Sequence, residues 1–237
     1  MPKRSKSQRV RVQSEHKIIQ KVIRCKGLQI PREVLVWSWF KRWILEKKEI
    51  RKQLESIIVE DISKVDFIEE LLKILPKKNF PSFANTKQTK STFLASIYEF
   101  SMATLSLNLP FEIKQTEHGL SLWTRSKIKI ATDTTIVGTL CYITEDTAKK
   151  LIALKYPSLY GTSDGIGILY GPLALVNHDC GAIHSFSKPI PELGFKGFDG
   201  IKLVSPAKHL RKQKEILVQY SEDKKDLPFI CHCTSCQ

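Results

Sequence analysis

Cysteines at metal-ligand spacing and an Asn-His pair are the residues through which this chain could do chemistry. Residues 171–186 read GPLALVNHDCGAIHSF, and residues 231–236 read CHCTSC. Four thiolates close a tetrahedral zinc site and leave no open coordination position, so such a metal is structural and not catalytic. Cys231, Cys233 and Cys236 offer three ligands, and Cys180 is the candidate fourth. Cys25 lies in a basic arm. Cys141 lies in an apolar stretch, where a cysteine is usually a small buried hydrophobe. His232 could compete as a ligand but sits between two of the cysteines. The other reading of the tail is a set of unpaired thiols, or half of an intermolecular site. If Cys180 meets the tail, the C-terminus folds back onto Asn177-His178 from more than fifty residues away.

The elements that must position these groups divide in two. Pro31 suits a first helical turn. From Glu33 to about Ile58 apolar residues recur mostly at three and four, which predicts one amphipathic helix. Asp61 or Ser63 can cap a second helix, DFIEELLKIL, which Pro76 ends. A third helix is expected from about Thr89 to Thr104, and a short helical piece around His16–Arg24. After Pro110 the pattern changes to short alternating stretches rich in β-branched residues: FEIKQT, LSLWT, KIKIAT, TIVGTLCYIT, GIGILY and EILVQY. These read as strands, with Glu145–Leu154 a brief helix among them. Helices first and strands afterwards argue for an α+β protein, a helical N-terminal domain followed by a β-rich one.

Composition narrows the function classes. With 237 residues and 42% hydrophobic content the chain can bury a real core. No apolar run approaches the length of a membrane span, and the N-terminus lacks the apolar stretch of a secretory signal. Six cysteines therefore read as thiols and metal ligands, not as a disulfide frame. Charge is unevenly placed. Residues 1–52 carry 16 Lys and Arg against 4 Asp and Glu, a balance of +12 within a total of +14. Such an arm suits phosphate contact with nucleic acid or nuclear import; a merely solubilising tail is the other reading.

The combination of NHDC, a predicted strand ending in Tyr220 (EILVQY) and a C-x-C-x-x-C cluster resembles the SET domain of protein lysine methyltransferases. Within that family it is most similar to the histone H4 lysine-20 methyltransferases. GPLALVNHDC resembles their block before the zinc cysteine and VGTLCYIT an upstream strand. SKIKIAT falls where they carry the cofactor loop, and LPFEIKQT resembles the entry to the SET fold. The resemblance covers roughly residues 90–237.

What the resemblance implies is a basic arm over 1–30, a helical N-terminal domain over 31–107, a SET domain over 108–225 and a zinc-binding post-SET segment over 226–237. In that family the chain threads through a pseudoknot joining the Asn-His motif to the Tyr strand. Tyr220 and Tyr160 would be the catalytic and substrate-side tyrosines. Ser126, Lys127, Asn177, His178 and His232 would hold S-adenosylmethionine, and Cys180, Cys231, Cys233 and Cys236 one structural zinc ion. The expected partners are a histone tail or nucleosome, with nucleosomal DNA on the basic arm, in the nucleus and on the chromosome. No acid or base of shifted pKa is demanded, and the site is expected to be poor in carboxylates. Two stretches depart from the family: Gly181-Ala182-Ile183 lacks the expected polar anchor, and SEDKKDLPFI lacks the usual Phe-Gly and Asn, with Phe229 as the one aromatic that could replace a wall. The cofactor loop has also lost a glycine. These departures leave a catalytically weak or silent chromatin-binding relative as the alternative to an active enzyme.

Overall fold

The computed structural model describes residues 19–21, 30–58, 62–75, 80–84, 86–116, 119–129, 136–154, 156, 158–205, 209–220 and 233. Most of the basic arm, Cys25, Phe229, Cys231, His232 and Cys236 lie outside them. Of the short helix expected around His16–Arg24, residues 19–21 are described and are helical.

The first expected helix is not continuous. Helix α1 (Arg32–Phe40) leads into a five-residue π-helical turn, Lys41–Leu45, and the chain breaks at Glu46–Lys47 before α2 (Lys48–Ile57). A π turn inserts extra backbone and re-phases the side chains that follow. Here it lets Ile44 and Leu45 reach the core that Trp37, Trp39 and Phe40 already fill. The widened turn ends on a cation, because the buried Arg51 donates from Nη1 to the Leu45 carbonyl at 2.7 Å.

The next helices begin where polar caps satisfy their free amides. Ser63 accepts from the Asp66 amide at the start of α3 (Lys64–Ile74). Thr86 and Thr89 form a reciprocal capping box at the start of α4 (Lys87–Leu105). Beyond α4 the chain forms the antiparallel hairpin β1 (Phe111–Thr116) and β2 (Gly119–Thr124), then β3 (Ile128–Lys129) and β4 (Val137–Tyr142). Helix α5 (Glu145–Ala153), capped by Thr144, precedes β5 (Leu159–Thr162) and β6 (Gly165–Tyr170). The remaining strands are short: β7 (Asn177–His178), β8 (Ser185–Phe186), β9 (Gly200–Val204), β10 (His209–Leu210) and β11 (Leu217–Val218).

The fold is α+β. One antiparallel sheet runs β5-β6-β4-β9-β8, and three two-stranded ribbons, β1-β2, β3-β10 and β7-β11, surround it. Among the described strands only β7-β11 is a parallel pair. Of the expected strand EILVQY, only Leu217 and Val218 pair as strand; Glu215 makes an isolated bridge to Trp123 and Tyr220 lies past the ladder.

Helices and sheet share one contiguous cluster of buried apolar side chains. Phe100 on α4 is its pivot. Its ring meets Trp37 and Phe40 on the helical side and Tyr170 and Phe195 on the sheet side, with centroids 4.8 to 6.0 Å away. Cys141 is buried in β4, and burial pushes its thiol up to about 11, so it behaves as core. Among the described residues no helix is long and apolar enough to cross a membrane.

Replacing Phe100 by Ala should cost about 3–5 kcal/mol. Because the ring touches both layers, equilibrium denaturation followed by tryptophan fluorescence and by far-UV circular dichroism should shift together. A shift of one probe alone would mean that the helices and the sheet do not share this core.

Candidate functional site

The site is built where two distant segments run side by side. Gly171, with φ of +86°, makes the turn into a 3-10 segment, Pro172–Leu175, and that segment delivers Val176, Asn177 and His178. A left-handed φ of this kind favours glycine, which has no Cβ to clash. In β7-β11, Asn177 stands opposite Leu217 and His178 opposite Val218. The Asp179 amide extends the ladder by donating to the Val218 carbonyl at 3.1 Å. Downstream, the Gln219 amide donates to the His184 carbonyl at 3.0 Å, so the strand leading to Tyr220 is held from both sides.

Tyr220 closes this arrangement. Its amide donates to His178 Nδ1 at 3.1 Å, and its hydroxyl donates to the Val176 carbonyl at 2.5 Å. With the hydroxyl proton committed to Val176, the phenol oxygen keeps lone pairs for an incoming donor. The residue as a whole is 37% exposed, yet burial around the hydroxyl holds its pKa well above the usual phenol range. The phenol oxygen thus sits in a dry environment, and the phenol stays neutral. Tyr160 is raised by burial as well.

Four rings follow one another here. Tyr160 meets Phe186 edge-on at 5.7 Å, Phe186 stacks on Tyr220 at 6.0 Å, and Tyr220 lies 5.1 Å from the His178 imidazole. Phe186 was not singled out from the sequence. Its signal was weak, an aromatic in a two-residue strand with no motif around it.

On the other side of His178 lies the sulfur cluster. His178 Nε2 is 3.1 Å from Cys180 Sγ, and the Cys180 amide donates to Cys233 Sγ at 3.3 Å. The ligand atoms of His178, Cys180 and Cys233 all lie within 4.8 Å of one another. Tetrahedral zinc with bonds to sulfur of about 2.3 Å places its ligands about 3.8 Å apart, so this set fits a metal ion. Cys180 and Cys233 are thus brought together, and His178 joins them; Cys231 and Cys236 lie outside the described residues. The hydrogen bond from Tyr220 assigns the neutral imidazole proton to Nε2, facing Cys180 Sγ. As a ligand the ring would have to give up that proton. Burial lowers the His178 pKa, offset in part by Asp179 and the Val218 carbonyl.

The expectation of a site poor in carboxylates needs correction. Asp179 is buried beside His178, and its Oδ1 accepts from the Gly181 amide at 2.7 Å. Glu215 Oε1 accepts from Asn177 Nδ2 at 2.9 Å. Both carboxylates are spent on the turn itself, one bracing the backbone and one fixing the Asn177 amide. Ser126 and Lys127 are exposed on the loop after β2, where the Pro110 carbonyl accepts from the Ser126 amide at 3.4 Å.

No family model matches the chain, and no curated protein matches it. Among solved structures, a crystal structure of a "putative histone methyltransferase" from Plasmodium falciparum is 15% identical, with a TM-score of 0.38. The alignment covers 51% of this chain and 100% of that one. A likeness of that size carries no argument about chemistry here.

The Asn177–Glu215 bond gives a direct test of the turn. Glu215→Ala leaves a half-buried amide donor unpaired and should lower stability by about 1–3 kcal/mol. Glu215→Gln retains an acceptor oxygen and should cost less. Equal losses in chemical denaturation would show that the carboxylate does not hold Asn177.

Proposed function

We propose that this chain is an S-adenosylmethionine-dependent protein-lysine N-methyltransferase of the SET type, acting on a histone tail, with histone H4 lysine-20 in nucleosomes as its substrate. It would work in the nucleus, on the chromosome. The observation that supports this reading most is the parallel pairing of Asn177-His178 with Leu217-Val218, which sets the Tyr220 hydroxyl on the Val176 carbonyl at the end of a ring series.

When bound, the cofactor would supply an electrophilic sulfonium methyl: a neutral lysine amine would bond to that carbon in line as the C–S bond breaks, the thioether would leave, and the methylated ammonium would lose its proton to water. The residues present fit its adenine and ribose end: Asn177 keeps its carbonyl oxygen as an acceptor while Nδ2 is committed to Glu215. What the chain contributes is placement. Tyr160, Phe186 and Tyr220 offer ring surfaces for the apolar lysine stem. The Tyr220 oxygen, its own proton engaged, accepts from the substrate amine and orients it. Raised phenol pKa values keep negative charge off these oxygens, so the amine meets dipoles and not a phenolate. In this reading Cys180, Cys231, Cys233 and Cys236 would hold one structural zinc ion that ties the C-terminal segment to the Asn177-His178 turn, and His178 would serve the Cys180 sulfur as a hydrogen-bond donor.

A second reading, a catalytically silent chromatin-binding module, draws on one observation. One of the two Nδ2 hydrogens of Asn177 is already used by Glu215, which leaves a single amide donor for a cofactor. Gly181-Ala182-Ile183, with Ile183 exposed, adds no polar anchor in its place.

Incubating the protein with nucleosomes and S-adenosylmethionine, followed by mass spectrometry of the histones, should reveal methylated lysine on the H4 tail. Tyr220→Phe should reduce turnover by about a hundredfold or change the number of methyl groups added. Titration calorimetry separates the two readings, since absence of cofactor binding together with unmodified histones would leave the silent module.

Elemental analysis of reduced protein should give one zinc per chain. Cys180→Ser should deplete it and expose the C-terminal segment to limited proteolysis, because closing such a site is itself folding free energy. Protein free of zinc with a protected tail would overturn the clasp.

A further inference from the structure

The turn that precedes Glu215 carries a second feature, independent of methyl transfer. Residues 53–237 hold 22 Lys and Arg against 20 Asp and Glu. Seven of those 22 lie in two short segments, 124–130 (TRSKIKI) and 205–214 (SPAKHLRKQK), which contain no acid at all. The rest of the folded body is therefore net acidic, fifteen against twenty. The fold joins the two segments. Ile128 pairs with Leu210 and Lys129 with His209, so continuing the antiparallel register sets Lys127 alongside Arg211.

The turn is also held rigidly. Thr124, fully buried, donates its hydroxyl to the Arg211 carbonyl and accepts on the same oxygen from the Lys214 amide at 2.9 Å. Its own amide donates to the Lys214 carbonyl and its carbonyl accepts from the Gln213 amide, both at 2.8 Å. Gln213 adopts φ of +57° at the apex, a conformation that a non-glycine residue holds only when its surroundings fix it. The result is a clamped Arg-Lys-Gln-Lys loop whose side chains, with Lys127 and His209, are all exposed. Arg125 is different: its guanidinium is occupied by the carbonyls of Ser106, Leu107 and Leu109. The nearest acid, Glu215, is bonded to Asn177, and no ion pair joins Lys127, Arg211, Lys212 or Lys214 to an acid among the described residues.

We propose that this cationic turn docks on the phosphodiester backbone of duplex nucleic acid. The apolar residues of the ribbon, Ile128 and Leu210, are buried, and the Trp123 ring nearby is covered by Lys114 at 4.6 Å. Among the described residues the patch thus lacks the exposed aromatic and aliphatic anchors of a protein interface. Among them it equally lacks the stacking platform of a single-strand binder. Fixed cations without apolar anchors are suited to phosphates, which position a protein without reading sequence. The strand that leaves this turn is the one that ends at Tyr220, so a duplex held here would lie at a set distance from the ring series.

The test uses the full chain, a labelled 30-base-pair duplex of mixed sequence and fluorescence anisotropy between 50 and 200 mM salt, with no methyl donor present. Replacing Arg211, Lys212 and Lys214 together by Gln should weaken binding on the order of a hundredfold at 0.1 M salt and reduce the salt slope by about two to three. A control of equal charge, Lys149, Lys150 and Lys188 to Gln, should lose less than threefold; the basic arm is present in both. Circular dichroism melting of each variant reports that the fold is intact. Unchanged affinity and slope in the turn variant would overturn the proposal, as would equal losses in the control. Binding to polyglutamate in preference to the duplex would overturn it in favour of an acidic protein. None of these readouts depends on methylation, so failure here is distinct from failure of the enzymatic reading.

Discussion

Two rungs of parallel backbone pairing, Asn177 to Leu217 and His178 to Val218, hold everything of functional interest in this molecule. Parallel pairs are slightly less stable per residue than antiparallel ones and need a long crossover. This ladder survives at two rungs because side chains and flanking amides reinforce it: Asn177 on Glu215, Asp179 on Val218, Tyr220 on both His178 and Val176. Loss of the pairing would at once release the phenol, the imidazole and the sulfur beside it. The neighbouring antiparallel sheet supplies the platform, and Phe100 ties that platform to the helices.

The electrostatics follow the same division. Around Tyr220 the structure keeps groups neutral or internally satisfied. The tyrosines are raised, the imidazole is lowered, and the two carboxylates are bonded to amides of the turn. Positive charge is displaced to the loop one turn upstream, where no acid among the described residues pairs with it. In the proposed reaction the methyl acceptor would have to be an uncharged amine, so neutral groups around Tyr220 and a cationic anchor away from them would be compatible demands on one short strand.

Much of this was legible from the residues. Ser63 signalled its helix as a local amide acceptor, and FEIKQT and GIGILY show the alternation of half-buried strands. Cys180 and Cys233 are adjacent as their spacing suggested. The π-helical turn at Lys41–Leu45 and the break at Glu46–Lys47 were not readable, since no Gly or Pro marks either. EILVQY looks like six residues of strand, but Glu215 bridges Trp123, the Ile216 amide donates to Leu122 and the Gln219 amide to His184, so only Leu217 and Val218 pair as ladder. Phe186 and the partner of Asn177 depend on contacts between residues tens of positions apart, which no local pattern encodes.

The crossover has a temporal meaning as well. Hydrogen bonds that define the site join residues 38 to 53 apart in sequence, and loops of that length close late relative to hairpins. During synthesis the Asn177-His178 turn emerges well before Tyr220 does. A nascent chain can complete its helices and the β1-β2 hairpin while the site has no second half. The site therefore stays incomplete until the strand carrying Tyr220 has left the ribosome and found its place.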